Sequence, residues 1–509
     1  MSEQQLDPVQ LGLFVSRLES VCEEMGAVLQ RAAFSPNIKD RLDFSCAIFD
    51  SRGQLCAQAA HIPVHLGSMA YAMADIVGQA PWQPGDMMVL NDPFMGGTHL
   101  PDVTVVAPIF LDDKLQGFVA NRAHHADIGA STPGSMPLSE RLDEEGVVIP
   151  PTLLQRAGVL QQHLLDDWFG PGEHGDFIAQ LSANRAGLRR MGELLDSLPV
   201  SFGDAAAQLQ DYGERIARQR LSELPQGVFT FVDYMDSDGF GATRLPIRVA
   251  LTIAGDRVHL DFDGTADQVR GNINCPRSVA AAAVFYVFRC LMPEAAPVCA
   301  GLFRPISLAV PEGCLLNARR PAAVAAGNVE TSMRATDVVL GALAQAAPEL
   351  VPAAAHGSMN NVAMGSLQGQ PWHYYETLGG GSGAHREGAG LSAVQCHMTN
   401  TLNTPVESLE MHYPLRICEY AIRRGSGGAG QHGGGDGLVR EFEFLAEARF
   451  TLLTERRDIA PWGLAGGEDA ACGENYFNGV RLPGKVSAQA GVGDRLRIET
   501  PGGGGWGVL

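Results

Sequence analysis

The sequence predicts a multidomain α+β chain built on mixed and antiparallel sheets, and three observations predict it. Apolar residues recur at helical spacing in a few long stretches. Strand-like apolar runs come in neighbouring pairs joined by turn residues. The last third is rich in glycine between aromatic and β-branched segments. At 509 residues the chain has room for several domains, each with its own core.

The elements follow in order. DPVQLGLFVSRLESVCEEMGAVLQRAAF, residues 7–34, is apolar at helical spacing behind an Asp7-Pro8 start signal. FSCAIFD and QLCAQAA flank Ser51-Arg52-Gly53 as a β-hairpin, and DMMVLND (86–92), VTVVAPIF (103–110) and QGFVANR (116–122) read as further strands. Together they make an N-terminal α+β domain, 1–175. Residues 176–225 read as an amphipathic helical linker segment interrupted near Pro199. Strands return in GVFTFVDYMD, IRVALTIAG and RVHLDFDGT, the last two joined by an Ala254-Gly255-Asp256 turn. Helices near 278–292 and 333–347 complete a middle α+β domain, 226–355. The C-terminal domain, 356–509, carries the runs GGGSGAHREGAG (379–390), RRGSGGAGQHGGGDG (423–437) and TPGGGGWG (500–507). Such runs can be flexible linkers. Their alternation with β-prone segments predicts tight turns and close backbone approaches in a β-rich unit instead.

Composition narrows the function class. A formal charge of −20 argues against nucleic acid or an anionic membrane as partner and otherwise reads as solubility. No run of about 18 apolar residues suggests a membrane span. The start MSEQQLDPVQ lacks a secretory pattern, and the ten cysteines form no CxxC pair. They read as buried thiols of a reducing compartment, so the expected location is the cytoplasm.

Chemistry concentrates in GGTHLPDVTVVAPIFLDDKLQGFVANRAHHADIG, residues 96–129. If Asp112-Asp113-Lys114 form a three-residue hairpin loop, facing residues have numbers that sum to 226. Asp102 then lies opposite His124, with Cβ atoms roughly 5 Å apart. A neighbouring loop length shifts that sum by one. His99 precedes Asp102 by three residues where the chain turns into the strand, so His99, Asp102 and His124 can converge at one end of the hairpin. Two imidazoles and a carboxylate leave an open position on a divalent ion, the arrangement that activates water. The same residues would also serve as strand-end polar groups satisfied by backbone. His125 points to the opposite face if the strand continues, so His125 and Asp127 are cast as supporting or proton-transfer groups.

His61 and His65 in AAHIPVHLGSM are another pair, with Pro63 arguing against a helix between them. In an extended chain they sit roughly 13 Å apart, too far to share an ion, which leaves substrate contact. His385 and Arg386 follow GGGSGA and could meet an anion at a backbone nest, or lie in a solvated loop. No GxxxxGK[ST] phosphate loop, no strand–GxGxxG–helix unit and no GxSxG elbow occurs.

Several long pieces carry a resemblance. RAAFSPNIKDRLDFSCAIFDSRGQLCAQAAHIPVHLGSM (31–69), NDPFMGGTHLPDVTVVAPIF (91–110), NRAHHADIG (121–129), NTPVESLEMHYPLR (403–416), GSGGAGQHGGGDG (425–437) and the closing TPGGGGWG resemble the hydantoinase B/oxoprolinase family. They run in order from about residue 10 to the C-terminus.

The resemblance implies a β-type subunit that works with a hydantoinase A-type ATP-binding partner. That partner would carry ATP and Mg²⁺, most simply in a heterotetramer of two copies each. It implies opening of cyclic amides such as hydantoins, 5-oxoproline and lactams, after the partner phosphorylates the carbonyl oxygen. Acetone and acetophenone carboxylase subunits are related, and in them a His-x-x-Asp and a downstream His hold the metal. Those positions fall on His99, Asp102 and His124 here. One Zn²⁺ or Mn²⁺ ion is therefore expected. The compact chain favours hydrolysis over carboxylation, and the intact trio counts against a non-catalytic scaffold for the ATPase partner.

Overall fold

The structure, a computed structural model, describes residues 5–59, 62–172, 174–366 and 371–509. Helix α1 (Pro8–Ala32) opens on a capping box. Asp7 accepts from the Val9 and Gln10 amides, and Gln10 Oε1 accepts from the Asp7 amide. Its Phe14, Leu18, Val21, Met25 and Leu29 recur three or four apart and form the buried stripe. A short α2 (Pro36–Lys39) leads into β1 (Phe44–Asp50) and β2 (Leu55–Gln58), the expected hairpin.

Helix α3 (Pro63–Val77) follows, then β3 (Met87–Leu90), β4 (Asp102–Leu111), β5 (Lys114–His124), β6 (Thr152–Arg156) and β7 (Val159–Leu160). The seven strands form one antiparallel sheet in the order β2-β1-β5-β4-β3-β6-β7. Its centre is the β4–β5 hairpin. Asp102 pairs with His124, and the register runs unbroken to Ile109 opposite Gly117, the predicted sum of 226.

The loop itself differs from the expectation. Lys114 already pairs with Leu111, so the turn is the two residues Asp112-Asp113, both left-handed at φ +49° and +58°. Such a turn matches the twist of the flanking strands, and aspartate tolerates that conformation. A register shift between Ile109 and Phe110 absorbs the odd residue.

After α4 (Gln162–Phe169) come α5 (Gly175–Ser197) and α6 (Phe202–Ser222), broken beside Pro199 as expected. Helix α5 lies on one face of the sheet, where Gln180 donates to the Val103 carbonyl at 2.8 Å and Asn184 to the Val105 carbonyl at 3.0 Å. Helix α3 covers the other face, burying Met69, Met73 and Ile76 against Phe49, Val106 and Phe118.

The middle of the chain builds a four-stranded sheet in the order β11-β10-β9-β8. It uses β8 (Gly227–Ser237), β9 (Thr243–Ala254), β10 (Arg257–Asp261) and β11 (Ile306–Ala309), with α7 (Arg277–Leu291) and α8 (Ser332–Ala346). A π-turn, Gly327–Thr331, runs directly into α8. One continuous buried core extends from Phe14 to Leu453 and crosses residues 175, 225 and 355.

The last region pairs β12 (Asn361–Ser366), β13 (Trp372–Glu376), β16 (Ala448–Leu453) and β19 (Lys485–Ala490) in one sheet. A second sheet holds β14 (Leu415–Arg423), β15 (Gly437–Phe444), β17 (Glu474–Phe477), β18 (Val480–Leu482) and β20 (Arg495–Glu499), with α9 (Val406–His412) preceding β14. Both sheets share a core of residues such as Val362, Met364, Phe442, Phe450 and Ile498.

The glycine runs are neither linkers nor ordinary strands. They lie side by side, with Gly435 N–H donating to Ser382, Gly503 N–H to Gly435 and Gly428 N–H to Gly503, each at 2.9 Å. A Cβ on Gly381 would sit 1.9 Å from the Gly435 carbonyl oxygen, so only glycine permits this spacing.

Among the described residues no helix is long and apolar enough to cross a membrane. All ten cysteines are free and six are buried. Cys290 and Cys418 are exposed, which corrects the expectation of uniformly buried thiols.

Candidate metal centre

Strand pairing brings the expected trio together. Asp102 opens β4, His124 closes β5 directly opposite, and His99 sits in the turn before β4, its carbonyl accepting from the Asp102 amide at 3.1 Å. One ligand atom from each lies within 4.8 Å of the others, and all three side chains are buried. Asp102 Oδ1 is 2.9 Å from His99 Nε2 and 3.1 Å from His124 Nδ1.

His99 Nε2 and His124 Nε2 are buried without a hydrogen-bond partner among the described residues, the first lying near Asp102 but off the donor line. Buried polar nitrogens left bare are costly and rare. His99 Nδ1 sits 3.1 Å from the Ala325 carbonyl, which can only accept. That contact places the proton on Nδ1 and leaves the Nε2 lone pair facing the centre. Two bare imidazole nitrogens and a carboxylate are a donor set that suits Zn²⁺ or Mn²⁺.

The carboxylate is heavily supported on its other oxygen. Asp102 Oδ2 accepts from Thr98 Oγ1 at 2.8 Å and Asn328 Nδ2 at 3.0 Å, and lies 3.1 Å from His65 Nε2. Burial alone would raise the Asp102 pKa, yet the charges of His65 and His99 and the imidazole hydrogen bonds hold it well below the usual range. Burial depresses His124. For His99 burial acts the same way, but the charge of the adjacent Asp102 outweighs it and raises the pKa.

These groups line a cavity of about 20 Å³, enough for one ion or water and too small for a cyclic amide. Its other walls include Asp43, Asn328, Val329, Met359 and Tyr375. The Tyr375 ring stacks on His124 at 4.8 Å and 14°, with the Arg41 guanidinium over it at 4.9 Å. Tyr375 Oη donates to Asn361 Oδ1 at 2.7 Å, and Asn361 Nδ2 donates to Glu330 Oε1 at 2.6 Å. Burial, then the nearby Glu455, pushes the Glu330 carboxyl up to about 7.

Behind His99 stands a second carboxylate. Glu145 is fully buried and accepts from the Val324 and Ala325 amides at 2.9 and 3.0 Å and from Ser139 Oγ at 2.7 Å. It thereby fixes the residue whose carbonyl orients His99.

The remaining sequence candidates fall elsewhere or change role. His65 belongs to the cavity, but as a partner of Asp102. Pro63 does not oppose a helix there: it is the first residue of α3, a position where its missing N–H costs nothing. His61 lies outside the described residues. His125 turns to the opposite face, where Nε2 meets Gln180 Oε1 at 2.9 Å and its ring packs on Phe177 at 4.5 Å, so it does not reach the cavity. Asp127 is exposed and caps a local turn through the Gly129 amide. His385 and Arg386 lie in an exposed turn closed by His385 and Gly388, and neither lines this cavity.

Sequence reasoning missed Asp43, Asn328, Tyr375 and Glu145. For Asp43 a signal existed, because pairing β1 with β5 sets it beside His124, whose amide donates to the Asp43 carbonyl at 3.0 Å. Asn328 comes from the π-turn, 226 positions from Asp102, and no local pattern marks it.

Fold and site define a multidomain α+β protein with a buried histidine–aspartate centre at the end of an antiparallel sheet. The chain belongs to the hydantoinase B/oxoprolinase family, whose sequence profile matches residues 7–509. It is 38% identical to 5-oxoprolinase 1 of Arabidopsis thaliana, over all of this chain but only 42% of the plant protein. A putative D-/L-hydantoinase subunit from a Pseudomonas strain is 32% identical across 99% of this chain and 90% of its own. The crystal structure of an ATP-dependent caprolactamase from Pseudomonas jessenii superposes with a TM-score of 0.91 at 27% identity, covering 99% of this chain and 92% of that one.

Proposed function

We propose that the chain is the β-type subunit of an ATP-dependent cyclic amide hydrolase, opening a hydantoin, 5-oxoproline or lactam ring. The observation that carries this reading is the convergence of His99, Asp102 and His124 with two bare imidazole nitrogens on a cavity of about 20 Å³. Family membership and the likeness to the caprolactamase support it.

An unactivated ring amide is a poor electrophile. In this reading a hydantoinase A-type partner phosphorylates the carbonyl oxygen, using ATP and Mg²⁺, which accounts for a chain without a phosphate loop. The two subunits assemble most simply as a heterotetramer with two-fold symmetry. His99, Asp102 and His124 would hold one divalent ion, Zn²⁺ or Mn²⁺. Such an ion supplies Lewis acidity, which lowers the pKa of water toward about 7 and polarises a carbonyl.

The chain's own residues do the rest. Ala325 keeps the His99 proton on Nδ1, and Thr98 and Asn328 hold the Asp102 carboxylate in place. His65 Nε2, on the cavity wall beside Asp102, is placed to exchange a proton there. The side chains of His99, Asp102 and His124 are buried, and burial strengthens each of these electrostatic contacts.

The test is to purify the chain with its co-expressed partner and screen cyclic amides with and without ATP and bicarbonate. Ring opening that needs ATP and both subunits but not bicarbonate is expected, with neither ATP nor lactam turned over by this chain alone. Bicarbonate-dependent carboxylation, or full activity of the isolated chain, contradicts the reading.

A further inference from the structure

One wall of the candidate metal cavity holds an amide oxygen with nothing to bond. Asn328 lies in the π-turn Gly327–Thr331, is buried, and lines the cavity beside the trio. Its Nδ2 donates to Asp102 Oδ2 at 3.0 Å. A carboxylate oxygen accepts and does not donate, so this contact assigns the amide: the NH₂ faces Asp102 and Oδ1 is the other end. That Oδ1 is buried without a hydrogen-bond partner among the described residues.

No neighbour on the cavity wall meets it. Tyr375 donates to Asn361, Thr399 donates to Gln395, and Thr377 and Thr401 bond to each other at 2.7 Å. His65 Nε2 is turned to Asp102 Oδ2 at 3.1 Å. On the side of α3, Val64 and His65 line this cavity, whereas Pro63, Gly67 and Ala70 line a separate and larger one of about 270 Å³. A bare amide oxygen buried in this way is costly unless something in the cavity meets it.

The backbone that presents Asn328 is fixed on both sides. Ser332 Oγ donates to the Asn328 carbonyl at 2.6 Å, and the Gly327 amide donates to the Asn272 and Val324 carbonyls at 3.0 Å. A Cβ on Gly327 would sit 1.8 Å from the Asn274 carbonyl oxygen, so this approach demands glycine. Single π-turns of this kind are uncommon and recur at functional sites. Three residues before Asn328 stands Ala325, whose carbonyl orients His99. One short stretch of chain thus places both a histidine and an amide oxygen on the same small cavity.

We infer that Asn328 Oδ1 is a fourth protein ligand to the ion at His99, Asp102 and His124, and that it turns the site toward Mn²⁺. The donors are then two imidazole nitrogens, a carboxylate oxygen and an amide oxygen. Carbonyl oxygens suit a hard ion such as Mn²⁺ better than Zn²⁺. Four protein donors would also fill a tetrahedral Zn²⁺ and close it to water, as in structural zinc sites. An ion that takes six ligands keeps two positions open. The inference rests on the metal-dependent reading above and adds a ligand and a choice of ion.

The test measures Mn²⁺ and Zn²⁺ affinities of the full chain by competition with chelators, for the wild type, Asn328→Leu and Asn328→Asp. Asn328→Leu removes both the Asp102 contact and the amide oxygen. It should weaken Mn²⁺ by about 100-fold but Zn²⁺ by only about tenfold, the lower end for a lost supporting group, because three protein ligands suffice for Zn²⁺. Asn328→Asp keeps an oxygen, so its Mn²⁺ affinity should stay at or above that of the wild type. A residue that only braces Asp102 predicts equal losses of both ions in Asn328→Leu, and that result, or a fall in Mn²⁺ affinity in Asn328→Asp, overturns the inference. If the variants do not fold, wild-type crystals grown with Mn²⁺ decide. Oδ1 at about 2.0–2.4 Å from the ion, the range of oxygen ligands, supports the inference, and a separation above about 3 Å refutes it. Ring opening by the complex is read separately. Turnover with Oδ1 off the ion refutes this ligand alone, and a four-ligand ion in a complex that opens no cyclic amide refutes the proposed activity alone.

Discussion

The two cavities on either side of α3's first turn differ in nearly every physical respect. One is about 20 Å³, walled by imidazoles, carboxylates and threonines, and each candidate ligand is braced from behind. The other is about 270 Å³, walled by aromatic and aliphatic side chains, with Gln58, Tyr286, Arg289 and Asn400 as its polar members. A donor set for an ion must be rigid, since a shift of a few tenths of an ångström changes which cation fits. A pocket that recognises a ring by shape needs little beyond apolar surface and one or two oriented hydrogen bonds. The contrast sets a braced donor set for an ion beside a largely apolar cleft, and substitutions on the two sides should differ in their effect on metal content.

The largest effects belong to the small cavity. Replacing His99, Asp102 or His124 by Ala should abolish metal retention and lower ring opening by several orders of magnitude. Metal analysis beside a ring-opening assay of the complex checks both halves. Next comes Glu145→Gln. It leaves one acceptor oxygen for the Val324 and Ala325 amides and turns a donor toward Val324, which loosens the carbonyl that orients His99 and should weaken metal affinity by about 10–100-fold. A competition titration with a chelator reads this directly. Unchanged affinity in a folded variant would show that Ala325 needs no such anchor.

His125→Ala should do less than its sequence neighbour suggests. It removes the Gln180 contact on the far face of the sheet, so metal content should be unchanged and stability should fall by about 1 kcal/mol. Loss of the ion on this substitution would mean that the two faces are coupled.

A pH dependence at Glu330 involves stability alone and leaves the metal ligands untouched. The folded chain keeps this proton up to about pH 7, whereas an unfolded chain releases it near 4.5. Between those values the folded state binds more protons, so stability falls as pH rises. Glu330→Gln should remove that decline, seen as a smaller drop in melting temperature from about pH 5 to about pH 7.5.

How much of this is legible in the sequence follows from range. The β4–β5 register can be derived because both strands and their turn lie within 25 residues, and a two-residue periodicity assigns His124 and His125 to opposite faces. The turn length escapes that derivation, since a bulge keeps the far register while changing the near one. Pro63 misleads because proline forbids a helix interior but favours its first residue. Asn328, Tyr375 and Glu145 are invisible, since each reaches the site through tertiary contacts that no local pattern encodes.

The central claim is that His99, Asp102 and His124 hold one divalent ion, and anomalous diffraction tests it most directly. Crystals grown with Zn²⁺ or Mn²⁺ should give one strong anomalous peak per chain, bounded by the side chains of these three residues. A map with no peak there, or with its peak elsewhere in the chain, would contradict the account.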